Sequence, residues 1–210
     1  MIRILIADDH AIVRGGLKEI LVRQLKDVIL GEAGDAQQAL ARLESGVWDL
    51  LILDITLPGR SGLDLLADLK QQKPEMPVLV LSMHPEDQYG KRVLQAGASG
   101  YMNKEAAPED LVKAIRKILS GGVYVSTALA EKLASDLSRG SGRPLHELLS
   151  AREFEVMRML ASGKGITQIA EELRLGATTV STYRARILEK MGMASTAELM
   201  RYAIDNRLVD

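Results

Sequence analysis

The sequence predicts an α/β unit with a five-stranded parallel sheet and helices on both faces, followed by an all-α unit of four helices. In the first half, five short and mostly apolar runs, most of them rich in Ile, Leu or Val, alternate with amphipathic helical segments. Continuous apolar runs are typical of strands buried on both faces, and strict strand–helix alternation favours a parallel sheet. From residue 150 onward no strand pattern appears, and a Gly-, Ser- and Pro-containing stretch at 139–144 predicts a linker.

The elements follow from hydrophobic periodicity and from the residues that start and stop helices. The predicted strands are 2–7, 28–33, 50–54, 78–81 and 99–102. The predicted helices are 12–24, 36–45, 63–72, 85–96, 108–119 and 128–137, then 151–162, 167–173, 177–191 and 196–206. Ser150 precedes Glu153 by three residues, which predicts a capping box at the start of the second unit.

Composition excludes several classes of protein. The 210 residues are 47% hydrophobic and 26% charged, as in ordinary soluble domains. The absence of Cys excludes disulfide scaffolds, thiolate metal sites and Cys nucleophiles, and it suits a reducing cytosol. No apolar run is long enough to span a membrane, and two Asp interrupt the N-terminal run where a signal peptide needs apolar residues. We therefore expect a cytoplasmic protein without a membrane partner.

The net charge of −1 does not by itself indicate a nucleic-acid binder. The charge is unevenly distributed, however. The segment 1–119 is slightly acidic, whereas the predicted helix 177–191 carries three cations and one carboxylate. DNA binding is therefore compatible with the charge pattern, with a modest electrostatic share of the affinity.

Charged and hydroxyl side chains end four of the predicted strands. Asp8 and Asp9 follow the first strand, Asp54 ends the third, and Ser82 and Lys104 follow the fourth and fifth. Ligands of open parallel sheets bind beyond the carboxyl ends of the strands. Three carboxylates suit a hard cation such as Mg²⁺, and the hydroxyl and ammonium groups suit a phosphoryl group. Any one of these residues alone could be a simple turn former, but five at strand ends favour a phosphoryl site.

The quoted residues, together with Asp54–Gly59 and Gly100–Lys104, resemble the signature of bacterial response-regulator receiver domains over residues 1 to about 119. The resemblance implies a doubly wound, flavodoxin-like fold in which Asp54 is the phosphoacceptor. It also implies Mg²⁺ bound by Asp9, Asp54 and the backbone carbonyl of Thr56, with Asp8 acting through water. Lys104 would pair with the phosphate, and Ser82 and Tyr101 would form the switch pair, with the aromatic ring turning inward.

Two histidines, His10 and His84, flank the same edge and raise the alternative of a transition-metal site. The position of His10 after the acidic pair is common in this receiver subfamily, and His84-Pro85 opens a helix, so we do not favour that alternative. Two positions depart from the family pattern: Leu57 stands where Met is common, and Glu105 where Pro is common.

Segments 167–173 and 177–191, joined by a turn containing Gly176, form a helix-turn-helix pattern. On the longer helix, one face is apolar and predicted to be buried: Val180, Tyr183, Ile187 and Met191. The opposite face is small and polar, as in a helix that enters the DNA major groove. Spacing alone leaves an ordinary helical bundle equally open.

The segments 149–156, 169–170, 179–181 and 190–192 resemble the LuxR-type helix-turn-helix, the output module of NarL/FixJ-like response regulators. The resemblance implies that the third helix of this module reads DNA and that the fourth contributes to dimer contacts. The predicted DNA-binding residues are Lys164, Thr178, Ser181, Thr182, Ala185, Arg186 and Lys190. Arg184 lies near the apolar face, so we predict that it pairs internally with Glu153 or Glu155.

Several departures predict weak DNA binding by the monomer. Gly165 and Gly176 replace the Ser residues commonly found before the two DNA-binding helices, and glycine caps a helix slightly less well than serine. Thr178 and Ser181 stand where Lys is frequent, which removes phosphate contacts. We therefore expect binding to depend on dimerisation.

The sequence thus predicts a phosphorylation-controlled transcription regulator with a receiver domain (1–119), a linker with a helix (120–147) and a DNA-binding domain (148–210). A sensor histidine kinase, double-stranded promoter DNA and a second copy of the chain are the expected partners, with RNA polymerase as a further candidate. Catalysis is expected only toward its own Asp54. Two alternatives remain: a DNA-binding regulator with a vestigial receiver, and a Mg²⁺-dependent phosphatase, which the Thr at position 56 disfavours. A dinucleotide enzyme is disfavoured because no Gly-x-Gly-x-x-Gly follows the first strand.

Overall fold

A computed structural model describes residues 1–58, 60–139 and 144–209. The chain divides into two compact units, Met1–Arg139 and Gly140–Asp210. Most of the predicted linker motif 139–144 lies outside the described residues, as does Gly59. No helix in the described part of the chain is long and apolar enough to cross a membrane.

The first unit contains the predicted five-stranded, wholly parallel sheet. Its strands are β1 (Ile2–Ala7), β2 (Val28–Ala33), β3 (Leu50–Asp54), β4 (Val78–Ser82) and β5 (Gly100–Asn103), in the order β2-β1-β3-β4-β5. Its first five helices are α1 (Ala11–Gln24), α2 (Ala36–Ser45), α3 (Gly62–Gln72), α4 (Glu86–Gln95) and α5 (Pro108–Leu119). The strand order reverses direction between β1 and β3, which places a ligand-binding crevice at their carboxyl ends.

The core is almost entirely aliphatic, as the composition predicts. All residues of β3 and β4 are buried, because helices cover both faces of the sheet centre. Ile4, Ile52 and Leu79 pack with α1 and α5 residues such as Leu21 and Ile115 in one cluster. A sheet centre of this kind holds the strand ends, and therefore the acidic residues there, in fixed positions.

The helix predicted within 120–147 is present as α6 (Thr127–Arg139), and it belongs to the first unit. It packs against α4. Leu129 is buried there beside Gly90, where an added Cβ would lie 2.7 Å from Leu129 Cδ2. The Ser126 hydroxyl donates to Glu86 Oε2 (2.6 Å), and Lys132 Nζ donates to the Asp87 carbonyl (2.6 Å).

The second unit contains the four predicted helices and one short element that the sequence did not predict. The helices are α7 (Ala151–Ala161), α8 (Ile166–Glu172), α9 (Ala177–Met191) and α10 (Thr196–Asp205), and a 3₁₀ helix covers Leu145–Leu148. The predicted capping box is confirmed: Ser150 Oγ accepts from Glu153 N, and Glu153 Oε2 accepts from Ser150 N. Gly192 ends α9 with a positive φ of 63°, a backbone conformation that favours glycine.

Candidate functional site

The acidic residues of the first unit come together because β1 and β3 are neighbours. Ala7 pairs with Leu53, so Asp8, which follows β1, and Asp54, the last residue of β3, lie at the same edge of the sheet. Both side chains are buried, with only 2% of Asp8 and 3% of Asp54 exposed. Ligand atoms of Asp8, Asp9, His10 and Asp54 all lie within 4.8 Å of one another. This distance allows one small cation to contact several of these groups.

Lys104 reaches the acidic group from the end of β5. Its Nζ atom lies 2.6 Å from Asp54 Oδ2 and 2.6 Å from Asp8 Oδ2. The lysine side chain is itself only 9% exposed. One ammonium group therefore bridges two buried carboxylates, and the predicted grouping of Asp8, Asp54 and Lys104 is present.

The protonation behaviour of this group reflects burial and pairing. Burial raises the pKa of Asp54 above its ordinary value, although the hydrogen bond from Lys104 opposes the rise. Burial alone would lower the pKa of Lys104, but the hydrogen bonds to Asp54 and Asp8 outweigh it and raise that pKa. Lys104 is therefore a permanent cation at neutral pH.

Asp9 and His10 complete the edge nearest to solvent. His10 Nδ1 lies 2.8 Å from Asp9 Oδ1, and the His10 side chain is 65% exposed. His84 lies elsewhere: its ring stacks on Tyr89 of α4, with centroids 4.7 Å apart. The structure therefore places His10, but not His84, in the group of potential metal ligands.

The loop after β3 also contacts Asp54. Thr56, which is exposed, donates its backbone N–H to Asp54 Oδ1 (3.2 Å). Gly62 donates its backbone N–H to the Ile55 carbonyl (2.9 Å). A Cβ at Gly62 would lie 1.9 Å from the Asp54 carbonyl oxygen, so only glycine fits there. No local sequence pattern marks Gly62, because this close approach is a tertiary contact.

Ser82 and Tyr101, the predicted switch pair, both meet the backbone of His84. Ser82 Oγ accepts from His84 N (3.1 Å), and the Tyr101 hydroxyl donates to the His84 carbonyl (2.7 Å). Ser82 and Tyr101 are buried, so the tyrosine ring is turned inward in this structure. The turn between β4 and α4 is therefore hydrogen-bonded to both members of the pair.

Arg14 also contacts the acidic group, and no local sequence pattern marks it. Its guanidinium group donates to the Asp8 carbonyl (2.7 Å) and to Glu32 Oε2 (3.2 Å). The hydrogen bond from Lys18 lowers the pKa of Glu32, and Arg14 adds to that effect against the opposing influence of burial. An arginine one turn into a helix is usually a solvated charge, so only the fold shows this contact.

In the second unit, α9 has the two faces that the sequence predicts. Val180, Ile187 and Met191 are buried, and Tyr183 is half-buried. The predicted DNA-contacting residues of this helix are all exposed: Thr178, Ser181, Thr182, Ala185, Arg186 and Lys190. The Ser181 and Thr182 hydroxyls donate to the Ala177 and Thr178 carbonyls (2.9 and 3.0 Å), so each hydroxyl can still accept a hydrogen bond but has no proton left to donate.

Two of the three predicted phosphate-binding cations are engaged within the unit. Lys190 Nζ donates to Glu153 Oε2 (2.7 Å), and Lys164 Nζ pairs with Glu172. Among the described residues, no ion pair is found for Arg186. Burial by itself would raise the pKa of Glu153. The hydrogen bonds from Lys190 and the Ser150 backbone outweigh burial, so the pKa is lowered.

Arg184 has an internal role, but with a different partner from the predicted one. Its Nε atom donates to Thr196 Oγ1 (2.8 Å) at the start of α10. The predicted pairing with Glu153 or Glu155 is wrong, because Glu153 is occupied by Lys190 and Glu155 forms a buried ion pair with Arg152.

Comparison with protein families agrees with both units. Residues 4–116 match the response regulator receiver domain, and residues 147–203 match the LuxR family of bacterial regulatory proteins. The chain belongs to the response regulators with a LuxR-type DNA-binding domain. The fold and family predicted from the sequence are therefore confirmed.

Individual response regulators are similar over nearly the whole chain. The response regulator UvrY of Escherichia coli K12 is 32% identical over 210 residues, covering 99% of this chain and 96% of the relative. The transcriptional activator protein ExaE of Pseudomonas putida is 37% identical over 208 residues, covering 98% and 97%. RcsB of Salmonella enterica serovar Typhimurium, solved on promoter rprA in the presence of phosphomimetic BeF3⁻, matches with TM-score 0.67 and 30% identity, covering 96% and 97%.

Proposed function

We propose that Asp54 of this response regulator accepts a phosphoryl group from a sensor histidine kinase or a small phosphodonor. The modified protein then dimerises and binds promoter DNA through α9. The observation that carries this proposal is the Asp54 carboxylate at the end of β3. This carboxylate accepts a hydrogen bond from Lys104, and it lies close enough to Asp8 and Asp9 for one cation to contact all three carboxylates.

The chemistry requires an ionised carboxylate and charge neutralisation around it. An Asp54 carboxylate oxygen attacks phosphorus, the bond from phosphorus to the donor breaks, and an acyl phosphate forms. Lys104 holds a proton permanently and pairs with the incoming phosphoryl oxygens, while the Ser82 hydroxyl offers a further hydrogen bond. Catalysis is limited to this self-modification and its hydrolysis.

A magnesium ion fits the donor set. The carboxylate oxygens are those Mg²⁺ prefers, and the single Lys104 ammonium balances only one of the three neighbouring carboxylate charges. We propose Asp9, Asp54 and the backbone carbonyl of Thr56 as direct ligands, with Asp8 acting through water. When bound, the ion would neutralise charge that develops on the phosphoryl oxygens.

We further propose that the change at Asp54 reaches α6 through the turn at His84. Ser82 and Tyr101 hold this turn by its backbone, and the His84 ring stacks on Tyr89 of α4. Helix α4 in turn carries α6 through Gly90 and Leu129. A Tyr101→Phe variant tests this path, because it keeps the ring but removes the bond to His84. We expect it to be phosphorylated normally while losing the phosphorylation-dependent change in amide exchange of α6; an unchanged response would contradict the path.

DNA binding is assigned to the exposed face of α9, with Ser181, Thr182 and Ala185 toward base edges and Thr178 and Arg186 beside them. Lys190 and Lys164 must break their ion pairs with Glu153 and Glu172 before they can contact DNA phosphates. This cost supports weak DNA binding by the monomer. We propose the domain limits 1–119 for the receiver, 120–147 for the connecting segment, whose helix α6 packs on the first unit, and 148–210 for the DNA-binding domain. We also propose a cytoplasmic location, a two-fold symmetric operator and contact with RNA polymerase as the output.

The decisive test compares the unmodified chain with Asp54→Asn after addition of acetyl phosphate and Mg²⁺. The wild type should gain about 80 Da by mass spectrometry, become dimeric in sedimentation, and bind promoter fragments more tightly. Asp54→Asn should do none of these, whereas Glu105→Gln, an exposed neighbour of Lys104, should behave as wild type. Dimerisation of Asp54→Asn on phosphodonor addition would refute the mechanism, and equal DNA affinity with and without phosphodonor would favour a vestigial receiver.

A further inference from the structure

The loop between β1 and α1 carries two of the three carboxylates of the acidic group, yet its helix start has no side-chain cap. His10, at the N-cap position of α1, makes no capping hydrogen bond, and no acidic residue lies in the first turn of the helix. Helix starts leave unpaired N–H groups that are usually satisfied by such caps. Other contacts fix the loop: the Asp8 backbone N–H donates to the Ala33 carbonyl (3.1 Å), and the His10 backbone N–H donates to Asp8 Oδ1 (2.8 Å).

Arg14 supplies two further contacts from inside the helix. Its backbone N–H donates to the His10 carbonyl (3.1 Å), and its Nη1 atom donates to the Asp8 carbonyl (2.7 Å). One residue thus holds both ends of the loop 8–10. The Arg14 side chain is only 18% exposed.

Glu32 holds the arginine in place. It lies on β2 opposite Ile6 of β1, and its two carboxylate oxygens accept from Arg14 Nε (3.2 Å) and Lys18 Nζ (2.5 Å). The Asp8 carbonyl is therefore tied through Arg14 to the neighbouring strand. A planar guanidinium can bond two acceptors at once in fixed directions, which an ammonium on a flexible stem cannot do equally well.

We infer that Arg14 is a positioning residue that sets the direction of Asp8 and Asp9 toward a divalent cation. The inference rests on the proposed magnesium site. Groups that orient metal ligands without touching the metal typically change metal affinity by about 10- to 100-fold when they are removed.

Charge and geometry predict opposite results for Arg14, which makes the inference testable. If Arg14 acted only through its charge, its removal would leave the site more negative and tighten cation binding. If it positions the loop, its removal should weaken cation binding despite the lost positive charge. Lys18 is the matched control, because it binds the same Glu32 but makes no contact with the loop in the described structure.

The experiment is a Mn²⁺ titration of the full-length protein followed by electron paramagnetic resonance, with Mn²⁺ as a probe for the Mg²⁺ site. We expect Arg14→Gln to raise the Mn²⁺ dissociation constant by about 10-fold and Lys18→Gln to change it less than twofold. Arg14→Lys, which keeps the charge but not the paired geometry, should resemble Arg14→Gln. Thermal melting of each variant without metal shows whether the fold is retained.

Unchanged or tighter Mn²⁺ binding by folded Arg14→Gln would overturn the inference. Failure of the proposed function gives a different result. In that case the wild type would bind no Mn²⁺, or Asp9→Asn would bind it as well as wild type.

Discussion

The contact between Leu129 and Gly90 holds α6 on the first unit, and its removal should release the helix. Leu129 is 2% exposed, and truncation of a buried leucine to alanine costs about 2–5 kcal/mol. We expect about 2–3 kcal/mol for Leu129→Ala, because a site between two surface helices can partly collapse. The bonds from Ser126 and Lys132 that remain contribute about 0.5–1.5 kcal/mol each.

A helix of 13 residues is marginally stable in water alone, so its protection depends on this docking. A loss of about 2–3 kcal/mol corresponds to roughly 30- to 150-fold faster amide exchange. Hydrogen exchange with mass spectrometry on peptides covering 127–135 measures this directly. The peptides of β3 should change little, and Val123→Ala, at a position that is 52% exposed, is the control.

Gly90 provides a second and sharper test of the same contact. An added Cβ would crowd Leu129 at 2.7 Å, although alanine is a better helix former than glycine by about 1 kcal/mol. Gly90→Ala should therefore weaken docking when Leu129 is present and improve it when position 129 is alanine. Exchange of α6 within threefold of wild type in Leu129→Ala, or the same effect of Gly90→Ala in both backgrounds, would refute the reasoning.

Three further predictions concern the site and the DNA-binding face. The pKa of Asp54 in the folded protein is raised above its ordinary 3.8. The unfolded chain therefore loses this proton at a lower pH than the folded protein does, and the folded protein loses stability as the pH rises above about 4. Asp54→Asn should therefore raise the melting temperature at pH 7, and this increase should become smaller as the pH falls toward 4. Calorimetry that shows the same increase in melting temperature at every pH would contradict this. Gly62→Ala should destabilise the first unit by more than about 2 kcal/mol in urea titrations and slow phosphorylation by acetyl phosphate, because its Cβ overlaps the Asp54 carbonyl. Arg186→Gln should lower the slope of log affinity for duplex DNA against log salt concentration by about 0.9. Lys190→Gln should lower this slope by less, because Lys190 already pairs with Glu153. Equal slopes for the two variants, measured by fluorescence anisotropy, would argue against that pairing in solution.

Local patterns were sufficient to predict most elements. Mostly apolar runs alternating with helical segments predicted all five strands. Only β4 and β5 differ from the prediction, by one residue at their ends, and the pairing of Leu79 with Gly100 fixes where β5 begins. The 3₁₀ helix at Leu145–Leu148 was missed because a single tight turn has no periodicity to detect. Helix α6 was predicted as part of a linker, and only its packing on α4 shows that it belongs to the first unit.

The sequence by itself determined the family, the order of the elements and the residue types of the acidic group, because strand-end positions follow from alternation along the chain. Tertiary structure decided which partner each charged side chain contacts. It paired Lys190 with Glu153 and Arg184 with Thr196, and it brought Arg14 onto the Asp8 carbonyl. These partners are separated by between 6 and 37 residues along the chain, so no local pattern specifies them. Hydrogen bonds and ion pairs depend on distances of a few ångströms, which only the packed helices and strands determine.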